Sequence, residues 1–222
     1  MITNLYSRPH KGQRFALFRL ATRAGTLDHN DKATLNAIHD NLAELKDEFH
    51  LHAELEEKFI HPLLYERVPG AAKDVELDHR NMHIMLDELV NHFNGIMGRS
   101  NTFEKIDELC LEFYLALNRF ISFYLAHIDK EEESIQPALY IVCTKEELGS
   151  TFSKLVANQT PQELMYNLSI NIPAQTIGEL TERFKMAKSS MPPAAFKAAC
   201  ELAQSLLDPK TWATLKLHVG IE

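Results

Sequence analysis

The chain has 222 residues, 45% of them apolar and 24% charged, which is enough for one good-sized core or a core with an appendage. Its 31 acidic against 23 basic residues give a formal net charge of −8, which argues against broad electrostatic capture of nucleic acid or anionic lipid. The longest apolar stretch, residues 113–128, is broken by Asn118 and Arg119 and falls short of the roughly 18 to 20 apolar residues of a bilayer span, so no membrane association is expected.

The opening residues carry no apolar run of signal-peptide length, and Cys110, Cys143 and Cys200 show no CxxC spacing. A cytoplasmic location with three free thiols is therefore expected. With only 8 Gly and 9 Pro and almost no β-branched runs, periodicity near 3.6 has no strand-like competitor, and the chain reads as all-α.

Taken in order, Ser7 ahead of Pro9 reads as an N-cap opening a first helix that stops at Gly25. Residues 28–31 form a connection and cap. A second helix runs from Lys32 into the Pro62 region. A third opens near Ala71 after the Pro69-Gly70 breaker and closes by Gly98. The fourth starts after Asn101-Thr102 and ends around Tyr140. Short connections make successive helices antiparallel neighbours, an up-down-up-down four-helix bundle over residues 1–143. Residues 144–222 break into short helical pieces at Pro161, Pro173, Pro192-Pro193 and Pro209, a small C-terminal helical extension.

The second helix places Leu35, Ile38, Leu42, Leu45, Phe49, His52, Glu56, Phe59 and Leu63 on steps of three and four, one inward seam. The fourth does so with Ile106, Cys110, Phe113, Leu117, Phe120, Tyr124, His127 and Glu131, and the third with His79, His83, Leu86, Val90, Phe93 and Met97. Imidazoles and carboxylates thus occupy core positions. Residues 52–65 (HAELEEKFIHPLLY) also align with residues 127–140 (HIDKEEESIQPALY), agreeing at seven of fourteen positions at an offset of 75, which suggests two copies of one helical hairpin.

Burying an unpaired imidazole or carboxylate costs several kcal/mol, and a metal ion offsets that cost. His52 and Glu56, His79 and His83, and His127 and Glu131 are each four residues apart, so each pair shares one helix face. The first helix contributes His10 from the matching end. Five imidazoles and two carboxylates are too many for one ion. Two six-coordinate ions with two bridging carboxylates and one bridging oxo or hydroxo group would leave a single vacancy, and the imidazole-rich set suits iron better than magnesium or calcium. His29 and His39 are poorer candidates than His10. His50, His61, His92 and His218 read as surface or packing residues, Tyr124 and Cys110 as core filler, and Glu57, Glu132 and Glu133 as a solvated face. A ferritin-like di-iron site would need Glu-x-x-His on two helices, and only Glu76 with His79 has that spacing.

The set His10, His52-x3-Glu56, His79-x3-His83 and His127-x3-Glu131, with a proline trailing each His-Glu segment, resembles the hemerythrin-like (HHE cation-binding) domain over about residues 5–142. The resemblance implies that His79, His83 and His127 hold one iron, that His10 and His52 hold the other, that Glu56 and Glu131 bridge them, and that the open position lies on the His10/His52 iron. The oxygen carriers of the family place an Asp five residues after the last histidine, whereas Glu131 follows His127 by four, as in bacterial-type domains.

The implied function is a non-haem di-iron protein binding dioxygen or a related small ligand for sensing, buffering or delivery. The alternative is a redox enzyme or iron-handling protein acting on peroxide or nitric oxide or supplying iron for cluster repair. The extension is the surface expected to engage a protein partner or a second copy of the chain.

Overall fold

The computed structural model describes residues 3–99 and 106–221, and within them the chain is helical with no strand. The start assigned to the fourth helix at Asn101-Thr102 lies outside the described residues. By contact density the chain divides into two units, residues 1–6 with 16–158, and residues 7–15 with 159–222.

The first unit is built on three long helices and the second half of a fourth. α1 spans Ser7–Gly25, and its residues 16–25 belong here. Ser7 is not its N-cap. The cap is Tyr6, without a side-chain bond, and the Tyr6 N–H donates to Asn4 Oδ1 instead, so a local Asn turn starts the helix one residue before the Ser-x-Pro signal. α2 (Lys32–Phe59) is capped by Asp31, whose carboxylate accepts from the Ala33 and Thr34 N–H groups. It stops before Pro62, and a single turn, α3 (Pro62–Tyr65), follows. Gly70, at φ +84°, turns the chain toward α4 (Lys73–Arg99), a backbone angle that disfavours any side chain. α5 (Ile106–Lys130) runs through a π-helical segment (Glu131–Ile135) into α6 (Gln136–Val142).

α4 packs against both α2 and α5. Lys46 pairs with Asp87 and Glu57 with His79, so α2 and α4 are antiparallel. Phe93 meets Phe113 at one end of α4 while His79 meets His127 at the other, so α4 and α5 are antiparallel too. The α5–α6 run, Ile106–Val142, is long and apolar enough by length and composition to cross a bilayer, but its apolar seam is spent on the core: Ile106, Phe113, Leu117, Phe120 and Tyr124 are all at most 2% exposed. α7 (Lys145–Ala157) opens with a capping box at Thr144 and Glu147. Although it falls within residues 144–222, its Leu148 joins Leu5, Ile60, Leu64, Val75, Ile135 and Leu139 in one buried cluster of the first unit.

The second unit contains α8 (Pro161–Asn171), a 3-10 turn (Ile172–Ala174), α9 (Ile177–Ser190), α10 (Pro193–Leu206) and α11 (Pro209–Val219). Capping boxes at Thr160 and Thr176, and prolines at the starts of α8, α10 and α11, punctuate it. Leu168, Leu180, Phe184, Ala203 and Leu215 form its apolar core. Residues 7–15 of α1 join it through ion pairs of Arg8 with Glu182 (2.8 Å) and Lys11 with Glu179 (2.6 Å). Gly12 permits the approach, since a Cβ there would lie 2.8 Å from the Asn171 side chain.

Candidate metal centre

Three helix ends meet inside the first unit. α2 brings His52 and Glu56 near its C-terminus, α4 brings His79 near its N-terminus, and α5 brings His127 with Glu131 just beyond. Antiparallel packing makes these ends coincide. Glu56, His79, His127 and Glu131 are at most 2% exposed, and the His52 side chain is 12% exposed.

His52 Nε2 lies 2.9 Å from Glu56 Oε1, His79 Nε2 lies 3.3 Å from Glu56 Oε2 and 3.5 Å from Glu131 Oε1, and His127 Nε2 lies 3.3 Å from Glu131 Oε1. His52, Glu56 and Glu131 each offer a ligand atom within 4.8 Å of the others, and His79, His127 and Glu131 form a second such group. Glu131 belongs to both. Yet both carboxylate oxygens of Glu56, and Nε2 of His79 and of His127, are buried and make no hydrogen bond. Close approach without hydrogen-bond angles means that these lone pairs converge on shared space rather than on one another's hydrogens. Leaving such groups so is costly in a protein interior, and a cation in their midst satisfies all of them at once. The donor set of imidazole nitrogens and carboxylate oxygens fits a transition-metal ion.

The electrostatics agree. Burial alone would raise the Glu56 carboxyl, but His52 and His79 hold it well below its ordinary value. Burial likewise opposes charge on His79, but the carboxylates of Glu131 and Glu56 push it up to about 11. Burial lowers His127, favouring the neutral imidazole that binds metal. Tyr6, fully buried in the same unit, is raised by burial and by the charges of Glu56 and Glu131, which places its phenol within electrostatic reach of both carboxylates.

Around these residues stand groups that fix their orientation. Glu57 Oε1 lies 2.9 Å from His79 Nδ1, a carboxylate–histidine pair of the kind that sets the tautomer and aim of a metal-binding ring. Glu57, read from sequence as part of a solvated face, is only half exposed and is tied to the site. Asp78 Oδ2 lies 3.6 Å from His127 Nδ1 and accepts from Lys130 Nζ at 2.6 Å. For His61, read as a surface or packing residue, the structure gives packing: it is fully buried, stacks on His79 with centroids 5.7 Å apart, and sits 3.2 Å from Glu76. Tyr124 fills core space against Phe49 at 4.4 Å between ring centroids. Tyr6 and Asp78 had no sequence signal beyond their positions, one four residues before His10 and the other beside His79.

His83 stands outside both ligand groups. Its ring stacks on His50, with centroids 3.9 Å apart. His10 is fully buried on the stretch of α1 that clusters with the second unit.

The hemerythrin HHE cation binding domain model matches residues 1–139. The chain belongs to that family. It is a cation-binding domain whose His and Glu side chains are gathered where a metal can be held. The chain is also similar to the F-box/LRR-repeat protein 5 of Xenopus laevis, 25% identical over 171 residues, and of Mus musculus, 25% identical over 172 residues; each match covers 75% of this chain and 24% of the relative. The chain thus spans about a quarter of the length of these curated relatives. The likeness takes in 75% of 222 residues, about 166, against the 139 of the family match, so it continues past α6. No solved structure matches the chain.

Proposed function

We propose that this HHE domain holds two iron ions as a bridged pair and binds dioxygen or a related small ligand at an open position on one of them. The observation that carries the reading is the convergence of buried imidazole nitrogens and carboxylate oxygens that make no hydrogen bond. In this reading the four long helices form an up-down-up-down bundle. His10 and His52 would hold one ion, His79, His83 and His127 would hold the other once His83 turns from its stack on His50, and Glu56 and Glu131 would serve both. Iron supplies reversible one-electron redox and an affinity for small diatomic ligands.

The protein's own part is to exclude water, through Tyr124, which packs on Phe49 and meets the His127 ring at 5.9 Å, and to aim the His79 ring through Glu57. The stretch that the curated relatives share with this chain is about a quarter of their length, and the three free cysteines suit a reducing cytoplasm.

Anaerobic titration of the metal-free protein with ferrous iron should reach about two ions per chain, since the donors overshoot one six-coordinate ion. Exposure to air should then produce charge-transfer absorption of an oxygen-bridged diferric pair. Saturation at one ion, or no uptake, would refute the di-iron reading, and rapid one-way oxidation with peroxide turnover would favour a redox enzyme over a sensor.

A further inference from the structure

α5 is more apolar than the core it lines requires. The most apolar 18-residue stretch of the α5–α6 run has the composition of a bilayer span, yet only 33% of it is buried. The inward seam holds Phe113, Leu117, Phe120 and Tyr124, while on the outward side Leu111 is 58% exposed and Leu115 46%. Four residues apart, these two leucines share one face. α1 widens that face. Gly25 lies against the Tyr114 ring, where an added Cβ would come within 3.2 Å, and His29 pairs with Asp107 further on, so α1 and α5 run antiparallel. Phe18, seven residues before Gly25 and therefore on the same side of α1, is 52% exposed. Phe18, Leu115 and Leu111 thus follow one another along the edge between the two helices. A single exposed leucine is ordinary. Three large apolar side chains on one edge form a patch that calls for a cover.

The charges on its rim indicate which cover fits. Glu112 and Arg119 are seven residues apart, so they lie on the same flank of α5, one on either side of Leu115. Arg119 is exposed and makes no ion pair or hydrogen bond among the described residues. The Glu112 side chain is 65% exposed, and its carboxylate lies 3.9 Å from His92 Nε2, beyond hydrogen-bond range. An antiparallel α5 from a second copy, related by a two-fold axis beside Leu115, would bring Arg119 of each copy level with Glu112 of the other on the same side of the pair. The same operation sets Leu115 against its own counterpart and Leu111 toward the end of the edge that carries Phe18. A parallel pairing would instead oppose Arg119 to Arg119 and Glu112 to Glu112. A lipid surface would leave both charges without partners, and the net charge of −8 disfavours anionic lipid.

We propose that this edge of α1 and α5 is a homodimer interface, on which a second copy of the chain docks with its α5 antiparallel and Leu115 at the two-fold axis. Such an interface is isologous, each side presenting the same residues. It is also small, which puts the dimer in the weak class, with a dissociation constant on the order of micromolar.

Sedimentation velocity of the full chain over a wide concentration series tests this. Wild type should pass from the mass of one chain to that of two as concentration rises, and Leu115→Glu should stay monomeric. Glu112→Arg and Arg119→Glu each set like charges opposite one another and should weaken the dimer roughly tenfold. The two changes in one chain exchange the signs and should bring the dissociation constant back to within a few-fold of wild type. That recovery carries the test even where Leu115→Glu disturbs folding. A wild type that is monomeric throughout overturns the interface, and its flotation with phosphatidylcholine vesicles, lost in Leu115→Glu, would give the face to lipid instead. A dimer that survives Leu115→Glu also overturns it and places the contact elsewhere, as on residues 144–222. Failure of the double variant to recover overturns the antiparallel pairing.

Discussion

The two His-Glu segments at the ends of α2 and α5 are copies of one design, and they differ where it matters. In both, a proline follows the glutamate by six residues and cannot donate to the carbonyl four residues back. In both, the carbonyl of the glutamate accepts from the residue five ahead, His61 for Glu56 and Gln136 for Glu131, a π-type step of the kind that recurs at functional sites. The apolar positions correspond too: Ile60 with Ile135 and Leu64 with Leu139 are all nearly inaccessible and share one cluster. The α5 copy, however, continues as helix through α6, whereas the α2 copy stops and restarts at Pro62. The α5 carboxylate, Glu131, falls in both ligand groups and Glu56 in one, although Glu56 also lies 3.3 Å from His79. Equivalent sequence gives equivalent local geometry, and the packing around each copy gives the two glutamates unequal surroundings.

The sharpest way to break this comparison is to remove each carboxylate in turn. Glu131→Ala should abolish retention of both metals, and Glu56→Ala should chiefly cost one, as measured by metal analysis after gel filtration. In the metal-free protein either change leaves His79 with less counter-charge in a closed interior, a loss of about 3 to 5 kcal/mol by analogy with broken buried ion pairs. Urea denaturation checks it. Equal metal loss from the two variants would mean that the asymmetry between the copies has no functional weight.

The seams on α2, α4 and α5 were legible in the sequence because period and spacing determine which residues share a helix face, and His52, Glu56, His79, His127 and Glu131 lie on them near one another, whereas His83 stacks on His50. The repeat was legible because seven identities survive. Glu57 was not: one residue beyond Glu56 it lies about 100° around the helix, and only the position of α4 decides whether that direction is solvent or the His79 ring. His50 and His61 escaped for the same reason, since each meets its partner across a helix interface. The π-type step was half visible, since the prolines mark where the helix must yield but not how. The start of α1 was misread because Asn4 and Tyr6 make a turn that outranks the Ser-x-Pro signal.

A smaller effect is expected from the groups that aim the rings. Glu57→Gln keeps the shape but weakens the acceptor at His79 Nδ1, and it should lower affinity for the metal beside His79 by roughly 10- to 100-fold without changing the fold. Competition with a chromophoric chelator measures it. Asp78→Asn should act less, because Asp78 sits 3.6 Å from His127 Nδ1 and spends part of its charge on Lys130. If the two variants are indistinguishable from wild type, the rings are held by packing alone.

The smallest effect concerns the tails of the two copies, which hold each other. Arg67, past the α2 segment, donates to the carbonyl of Val142, its counterpart at the offset of 75, and reaches both carboxylate oxygens of Glu147 at the start of α7. Arg67 first, and the Thr144 backbone second, hold the Glu147 carboxyl down at about 2 against an ordinary 4.5. A depressed carboxyl contributes stability that is fully present above its unfolded value and drains away as pH falls through its folded value. The anchoring of α7 should therefore be constant above about pH 5 and weaken between about 4.5 and 2. Because the pair is well exposed, salt should blunt it. Arg67→Met should remove that part of the acid dependence while leaving metal stoichiometry untouched, as followed by hydrogen exchange of the α7 amides across that pH range. If α7 opens with the same pH profile in the variant, the Leu148 contacts hold the helix and the ion pair between the two copies contributes nothing measurable.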